Sequence, residues 1–361
     1  MTSALFSPIE LRGLRLPNRI VVSPMCQYMS ENGSANDWHL MHLGQFAMGA
    51  GGLLFTEATH VSAVGRITHR CLGLYSDANE TTIKRVVDFC RKYGVAKLGI
   101  QLAHAGRKGS AHTPFEGGKP LAPDENPWTT VAPSALPFGP GWHVPAALTK
   151  PGMQEVKQQF ADAAHRAARI GFEVIELHGG HGYLLHQFLS PISNRRDDEY
   201  GGSTGNRMRF PLEVFEAVRA VWPDDRPLGI RVSATDWIEG GWTPEETVVF
   251  AAELKARGCD FVDVTSGQLD PRQQIPMAPG YNVPFAAKVR KETGIAVMSV
   301  GMISRPRQAE DIVAGGKADL VAIARAMMDN PRWAWHAARE LGAETPYAPN
   351  YVRCSPAVWK P

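Results

Sequence analysis

Cysteine is scarce and poorly placed for any covalent or metal framework. Only five occur in 361 residues, at positions 26, 71, 90, 259 and 354. No CxxC pair is among them, so disulfides and thiolate-held zinc or iron–sulfur sites have no support, and a reducing compartment is the simplest setting. Excess charge is missing as well. The 38 Lys and Arg against 36 Asp and Glu leave +2, which makes no electrostatic case for a nucleic acid partner. No stretch approaches the roughly 18 consecutive apolar residues of a membrane span. The amino end, MTSALFSPIELRGLRLPNR, lacks a basic stretch followed by an apolar run. The expectation is a cytoplasmic chain with no membrane partner. What is present is an ordinary globular composition, 44% apolar, 20% charged and 9% aromatic, enough to bury a sizeable core.

Short β-rich runs alternate with helical periodicity, which favours a parallel sheet. The strand candidates are Ile20 to Val22, Gly52 to Thr56, Lys97 to Gln101, Glu173 to Leu177, Leu228 to Val232, Phe261 to Val264, Ala296 to Val300 and Leu320 to Ile323. Most are nearly continuous Val, Ile and Leu, as strands buried on both faces are. Helical segments are expected at 78 to 92, 152 to 170, 205 to 221, 244 to 257 and 305 to 314. Eight such units predict an α/β fold, a closed (β/α)8 TIM barrel, forming one domain over residues 1–361. Residues 106 to 150, rich in Pro and Gly, form a long loop after the third strand, and so long a connection predicts a wall of the active site. The chain beyond Leu341 lies outside the barrel count and reads as a carboxyl-terminal arm, about 342–361.

Barrels of this kind work at the carboxyl ends of their strands. There the sequence places SPMCQY (23–28), EA (57–58), QLAHAGR (101–107), HGGHGY (178–183), Arg231, Gly301 and Ala324-Arg325. Glycine and arginine after the last two strands suit a phosphate, since backbone N–H groups can approach it and a guanidinium forks onto it. Histidines 178 and 181 could ligate zinc, but only Glu176 and His186 lie near as further ligands, so metal is the weaker reading. Two neutral imidazoles donating to one oxygen, with the Tyr183 phenol beside them, suit a carbonyl compound gaining negative charge. Cys26 reads by composition as a small buried hydrophobe, and Arg107 and Lys108 as solvated loop charges.

Taken in order, NRIVVSPMCQYM, EATHVSAVGRIT, IQLAHAGRK, IELHGGHGYLLHQFLSPISNRRDDEYGGSTGNRMRF, IRVSATDW, SVGMIS and IARAMMDNP resemble the Old Yellow Enzyme family of flavin-dependent ene-reductases along nearly the whole chain. The PMCQY form is similar to the subgroup of thermophilic-like and xenobiotic-reductase members. The resemblance implies FMN held by Ser23, Pro24, Met25, Cys26, Ala58, Gln101 and Arg231, with Gly301, Ala324 and Arg325 about its phosphate, and Cys26 adjusting its potential. It implies NADPH or NADH as reductant and activated alkenes as substrates, with nitro compounds and quinones as further acceptors. His178 and His181 are implied to bind the substrate carbonyl oxygen, Tyr183 to protonate the α-carbon, and Tyr28 to line the pocket. It further implies a homodimer or homotetramer in which Arg353 enters the neighbouring site. Two departures stand out: Gly180 where the family more often has Ala, and Ala324 where it has Gly. Two other readings compete: a metal-dependent or Schiff-base barrel lyase acting on a phosphorylated substrate, and a non-catalytic flavin-binding module. The lysine version is poorly placed, since Lys97 opens its strand rather than ending it.

Overall fold

The computed structural model describes residues 3–49 and 51–359. Eight parallel strands close into a barrel. They are β1 (Ile20–Val22), β2 (Leu53–His60), β3 (Lys97–Ala103), β4 (Val174–Gly179), β5 (Leu228–Ser233), β6 (Phe261–Thr265), β7 (Ala296–Ser299) and β8 (Leu320–Ile323). Each pairs with its sequence neighbours, and Val321 to Ile323 of β8 lie against Ile20 to Val22 of β1 to shut the ring.

Strand alternation sorts the side chains. Ile175 and Leu177, Leu228 and Ile230, and Val262 and Val264 face outward into the main core under the helices. Their neighbours face inward in layers. Val21, Leu53, Phe55, Val174, Phe261, Met298 and Leu320 fill the amino-terminal end together with Leu11 and Leu16. Those two leucines belong to an antiparallel hairpin, Ile9–Leu11 with Leu14–Leu16, that plugs this end and was not among the expected elements. Above the apolar layer the inward positions turn polar: Gln101, Glu176, Arg231 and Asp263, and then His178, Ser233 and Thr265. The interior therefore runs from sealed to chemically equipped along the barrel axis.

Helices surround the barrel: α1 (Asp37–Ala47), α2 (Asp77–Tyr93), α3 (Lys150–Ile170), α4 (Leu184–Leu189), α5 (Thr204–Val221), α6 (Pro244–Ala256), α7 (Val283–Thr293), α8 (Pro306–Ala314), α9 (Arg325–Asp329) and α10 (Trp333–Leu341). The five expected helices match α2, α3, α5, α6 and α8 within two residues at each end. The unexpected α1 is started by a capping box in which Asn36 accepts from Trp38 N–H and His39 takes the Asn36 N–H. Strand β2 also runs further than expected. Its pairing with β3 shifts register between Phe55 and Ala58, a bulge that carries Glu57 and Ala58 within the strand rather than after it.

The connection from β3 to α3 has only two 3-10 turns and a two-residue strand pair, Val131–Ala132 with Ala146–Ala147. The arm beyond Leu341 turns back on α10, where Trp335 packs on Tyr347 and Tyr351 and Arg339 sits 4.8 Å over the Trp359 ring. No described helix is long and apolar enough to cross a membrane.

Candidate active site

The HGGHGY segment leaves β4 on a tight turn. His181 and Gly182 take consecutive left-handed conformations, φ 54° and 72°, and a Cβ on Gly182 would run into the carbonyl of Gln268. Glycine is thus required there, and the turn brings three rings together. The His178 ring centroid lies 5.0 Å from that of His181 and 4.9 Å from that of Tyr183. Gly180 N–H approaches His178 Nδ1 at 3.4 Å, a long contact that favours the ring proton on Nε2. His181 Nε2 lies 3.0 Å from Thr265 Oγ1, and its backbone N–H donates to Ser233 Oγ. Burial, and then the Arg231 guanidinium, holds both imidazoles well below the ordinary histidine range, so they are neutral at neutral pH. The extra glycine at 180 has little spare room, because a Cβ would stand 3.1 Å from Ser233 N and 3.2 Å from Ser233 Oγ.

Tyr183 packs with Tyr28 and Cys26 against Ile67, Cys71 and Ala105. Burial raises the Tyr183 phenol well above its usual range, and burial followed by the Glu57 carboxylate does the same to the Cys26 thiol. Both groups therefore keep their protons at neutral pH. Glu57 is buried behind this corner, accepting from Gln27 N–H at 3.0 Å and lying 3.3 Å from His39 Nε2. The long loop does wall the site, since Phe115 meets Tyr28 edge-on at 6.3 Å and Phe138 covers Lys108.

Arg107 and Lys108 are not solvated loop charges. Arg107 is 3% exposed and donates to the carbonyls of Leu136, Pro137 and Leu269. Lys108 donates to His181 O at 2.8 Å and Gln268 O at 2.9 Å, with its ammonium 5.1 Å from the Tyr183 ring centroid. Burial, and then Arg107, lowers it to about 7. The sequence missed this because an Arg-Lys pair between two glycines looks solvated until the loop from residue 136 closes over it.

Below the rings, Arg231 reaches Ser23 Oγ at 3.0 Å, and its Nε lies 3.4 Å from Asp263 Oδ2. Gln101 donates to Glu176 Oε1 at 2.7 Å. Arg231 therefore does not pair with a surface carboxylate; its partner is buried. Glu176 and Asp263 are both raised by desolvation, and Glu176 further by Asp263, so this pair retains a proton where isolated carboxyls would not. A charged residue at an inward position of an apolar strand, as in IELHG and FVDVT, was the signal available for them.

A cavity of about 390 Å³ opens beside His181 and Arg231 and runs between the ends of β7 and β8, lined by Gly301, Ser304, Ala324 and Arg325. Gly301 holds φ 127°, and a Cβ there would stand 2.8 Å from Asn282 Nδ2. Pro24 and Met25 are half-buried on the β1 side and Ala58 is buried in β2. Arg353 is exposed on the 3-10 turn Pro349–Cys354, and among the described residues no contact links it to His178, His181 or Tyr183. Of the candidate cofactor residues, Arg231, Gly301, Ala324 and Arg325 line this cavity and Ser23 is tied to Arg231, whereas Arg353 stands apart. The residues fit FMN: Gly301 without a side chain and the Arg325 guanidinium suit a phosphate, and Arg231 lines the same cavity.

Residues 4–344 match the family described as NADH:flavin oxidoreductase / NADH oxidase. The chain is 44% identical to an NADPH dehydrogenase of Geobacillus sp. over 98% of its length and 99% of that protein's. It is 46% identical to an NADPH dehydrogenase of Listeria innocua over 99% of its length and all of that protein's, 100%. Among solved structures, morphinone reductase superposes with a TM-score of 0.79 at 28% identity, over 96% of this chain and 91% of that one. A 2-naphthoyl-CoA reductase superposes with a TM-score of 0.84 at 25% identity, over 94% of this chain and 52% of that one, so this chain spans about half of it. With the family match and these full-length relatives, the chain belongs to the NADH:flavin oxidoreductase / NADH oxidase family, the Old Yellow Enzyme type of FMN-dependent oxidoreductase that draws on a nicotinamide reductant.

Proposed function

We propose that the protein is an ene-reductase, reducing the C=C bond of α,β-unsaturated carbonyl compounds at the expense of NADPH. The observation that carries this is the three-ring cluster of His178, His181 and Tyr183 directly beside the Arg231 and Arg325 cavity. FMN would be held by Ser23, Pro24, Met25, Cys26, Ala58, Gln101 and Arg231, with Gly301, Ala324 and Arg325 at its phosphate. Bound there, it would supply hydride-transfer chemistry between the nicotinamide and the alkene.

The protein's own part is polarisation and proton supply. His178 donates from Nε2 to the substrate carbonyl oxygen, and His181 stands beside it. Because both rings are neutral they add hydrogen bonds without a full charge, and those bonds strengthen as the oxygen gains charge. Tyr183 holds its proton until the α-carbon needs it. Its phenolate would be costly in so buried a place, and the Lys108 ammonium over the ring offsets part of that cost. Tyr28, and Phe138 of the long loop, flank the rings. Arg353 from a second copy of the chain would complete the mouth, which makes the active unit at least a dimer.

A lowered lysine at a barrel mouth is also what a Schiff-base lyase uses, but Lys108 Nζ is spent on two carbonyls and the family is one of flavin oxidoreductases. The test is anaerobic absorbance spectroscopy of the yellow protein. NADPH should bleach it and cyclohexenone should restore it. Tyr183→Phe should slow the restoration by about 10² to 10⁴, the usual worth of a positioned general acid, and leave bleaching intact. Equal slowing of both steps would remove Tyr183 from the donor role.

A further inference from the structure

One fully buried ionisable pair takes no part in the chemistry above. His186 of α4 and Asp236, in the loop after β5, are both 0% exposed, and His186 Nε2 lies 2.9 Å from Asp236 Oδ1. On the other side of the imidazole, Gly182 N–H donates to His186 Nδ1 at 2.9 Å. A ring nitrogen that accepts carries no proton, so the imidazole proton sits on Nε2, the nitrogen that lies beside the carboxylate in a charge contact rather than an aligned hydrogen bond. The second carboxylate oxygen is held by Ser190 Oγ at 2.6 Å and Trp242 N–H at 2.7 Å. Ser190 and His186 both address Asp236 and not each other, so this is not the nucleophilic arrangement of a hydrolase.

We propose that Asp236 and His186 are positioning residues for the proton donor. The carboxylate sets the tautomer of His186, the ring nitrogen grips Gly182 N–H, and Gly182 fixes where the Tyr183 ring begins. The inference rests on Tyr183 being the donor. The turn has to be gripped because His181, which has a Cβ, occupies a left-handed conformation that L side chains rarely adopt, immediately before Gly182 does the same. Each side of the turn is tied. Lys108 takes His181 O, Gln187 Nε2 takes Gly182 O at 2.7 Å, and His186 takes the one backbone donor between them. Of these ties, only the His186 bond depends on which nitrogen of a ring carries a proton, and Asp236 is the group that decides it.

Asp236→Asn tests this. The amide oxygen would turn to Ser190 and Trp242, leaving its NH₂ toward the ring. The imidazole then keeps a lone pair on Nε2, carries its proton on Nδ1, and opposes Gly182 N–H. In ¹⁵N spectra of the wild-type protein His186 should show the Nε2–H tautomer, and in the variant Nδ1–H. In single turnovers of the NADPH-reduced enzyme with cyclohexenone, the variant should lose roughly ten- to a hundredfold, the scale of a misplacement of about 1 Å. Its bleaching by NADPH should stay within about twofold of wild type. In a Tyr183→Phe background the same substitution should add less than about twofold, since nothing is left to position. His186→Leu, which removes the acceptor and keeps an apolar side chain, should reproduce the selective loss if Asp236→Asn does not fold. A protonated or Nδ1–H His186 in the wild type, equal slowing of both half-reactions, or a full additive loss on top of Tyr183→Phe would overturn the proposal. A Tyr183→Phe variant that is itself unslowed would overturn the donor reading, and this with it. Slow Tyr183→Phe beside unimpaired Asp236→Asn would overturn only the positioning role.

Discussion

Replacing Lys108 by Met removes a charge from the site while keeping an unbranched chain of similar length. The ammonium stands 5.1 Å from the Tyr183 ring centroid. At an effective dielectric of ~20, two unit charges that far apart interact by about 3 kcal/mol. Lys108 is partly exposed as a residue, and water screening brings the usable figure to about 1–2 kcal/mol, a factor of roughly 5–30 in the step that turns phenol into phenolate. The sign follows from the pKa. Lys108 is lowered to about 7, so it is charged below that pH and neutral above it. The wild-type rate of enone reduction should therefore fall by that factor as pH rises through about 7, while Lys108→Met runs flat at the lower level. The neighbours do not confuse the comparison. His178 and His181 are depressed and stay neutral on both sides, while Cys26 and Tyr183 are raised and stay protonated. Arg107, lowered to about 10, stays charged. Any contribution of the Glu176 and Asp263 pair is common to both proteins and cancels in the ratio of the two profiles. Stopped-flow reoxidation of the NADPH-reduced protein from pH 6 to about 9 reads this directly. An unchanged pH limb in Lys108→Met would refute the reasoning, because the charge invoked would then belong elsewhere.

Three further outcomes are expected. Gly182→Ala places a Cβ against the Gln268 carbonyl at a φ of 72°, so alkene reduction should fall by about 10² while NADPH bleaching persists, as rapid-mixing traces of each half-reaction would report. Arg325→Met removes a guanidinium from the cavity wall and should weaken FMN retention by about tenfold or more, measured as colour lost on gel filtration; undiminished retention would displace Arg325 from the phosphate. Arg353→Ala mixed with Tyr183→Phe should form heterodimers carrying one complete site, so recovery of alkene reduction on mixing two weak variants would establish that the arm serves its neighbour, and no recovery would reject it.

The barrel and the location of its working end were legible in the sequence for a simple reason. Strands buried on both faces must be nearly continuous runs of Val, Ile and Leu, so IVV, LGI and LVAI stand out, and whatever polar residue follows them sits at the mouth. The HGGHGY segment declared itself in the same way, since a glycine able to hold φ 72° and the two histidines and tyrosine around it are adjacent in the chain. Helices α1 and α7 were missed for different reasons: the α1 capping box closes on His39 rather than on the usual Glu or Gln, and α7 follows a long loop with no side-chain cap.

What only the tertiary structure decided are the properties that depend on distance across the barrel and on exclusion of water. Lys108 becomes a lowered, half-buried ammonium only when the chain from Leu136 to Phe138 folds over it. Arg231 finds Ser23 more than two hundred positions earlier in the chain, and His186 finds Asp236 fifty positions later. Local pattern specifies which residues point into the barrel. Charge state and tautomer are set by neighbours that the linear order keeps apart, because burial and Coulomb fields act through space and not along the chain.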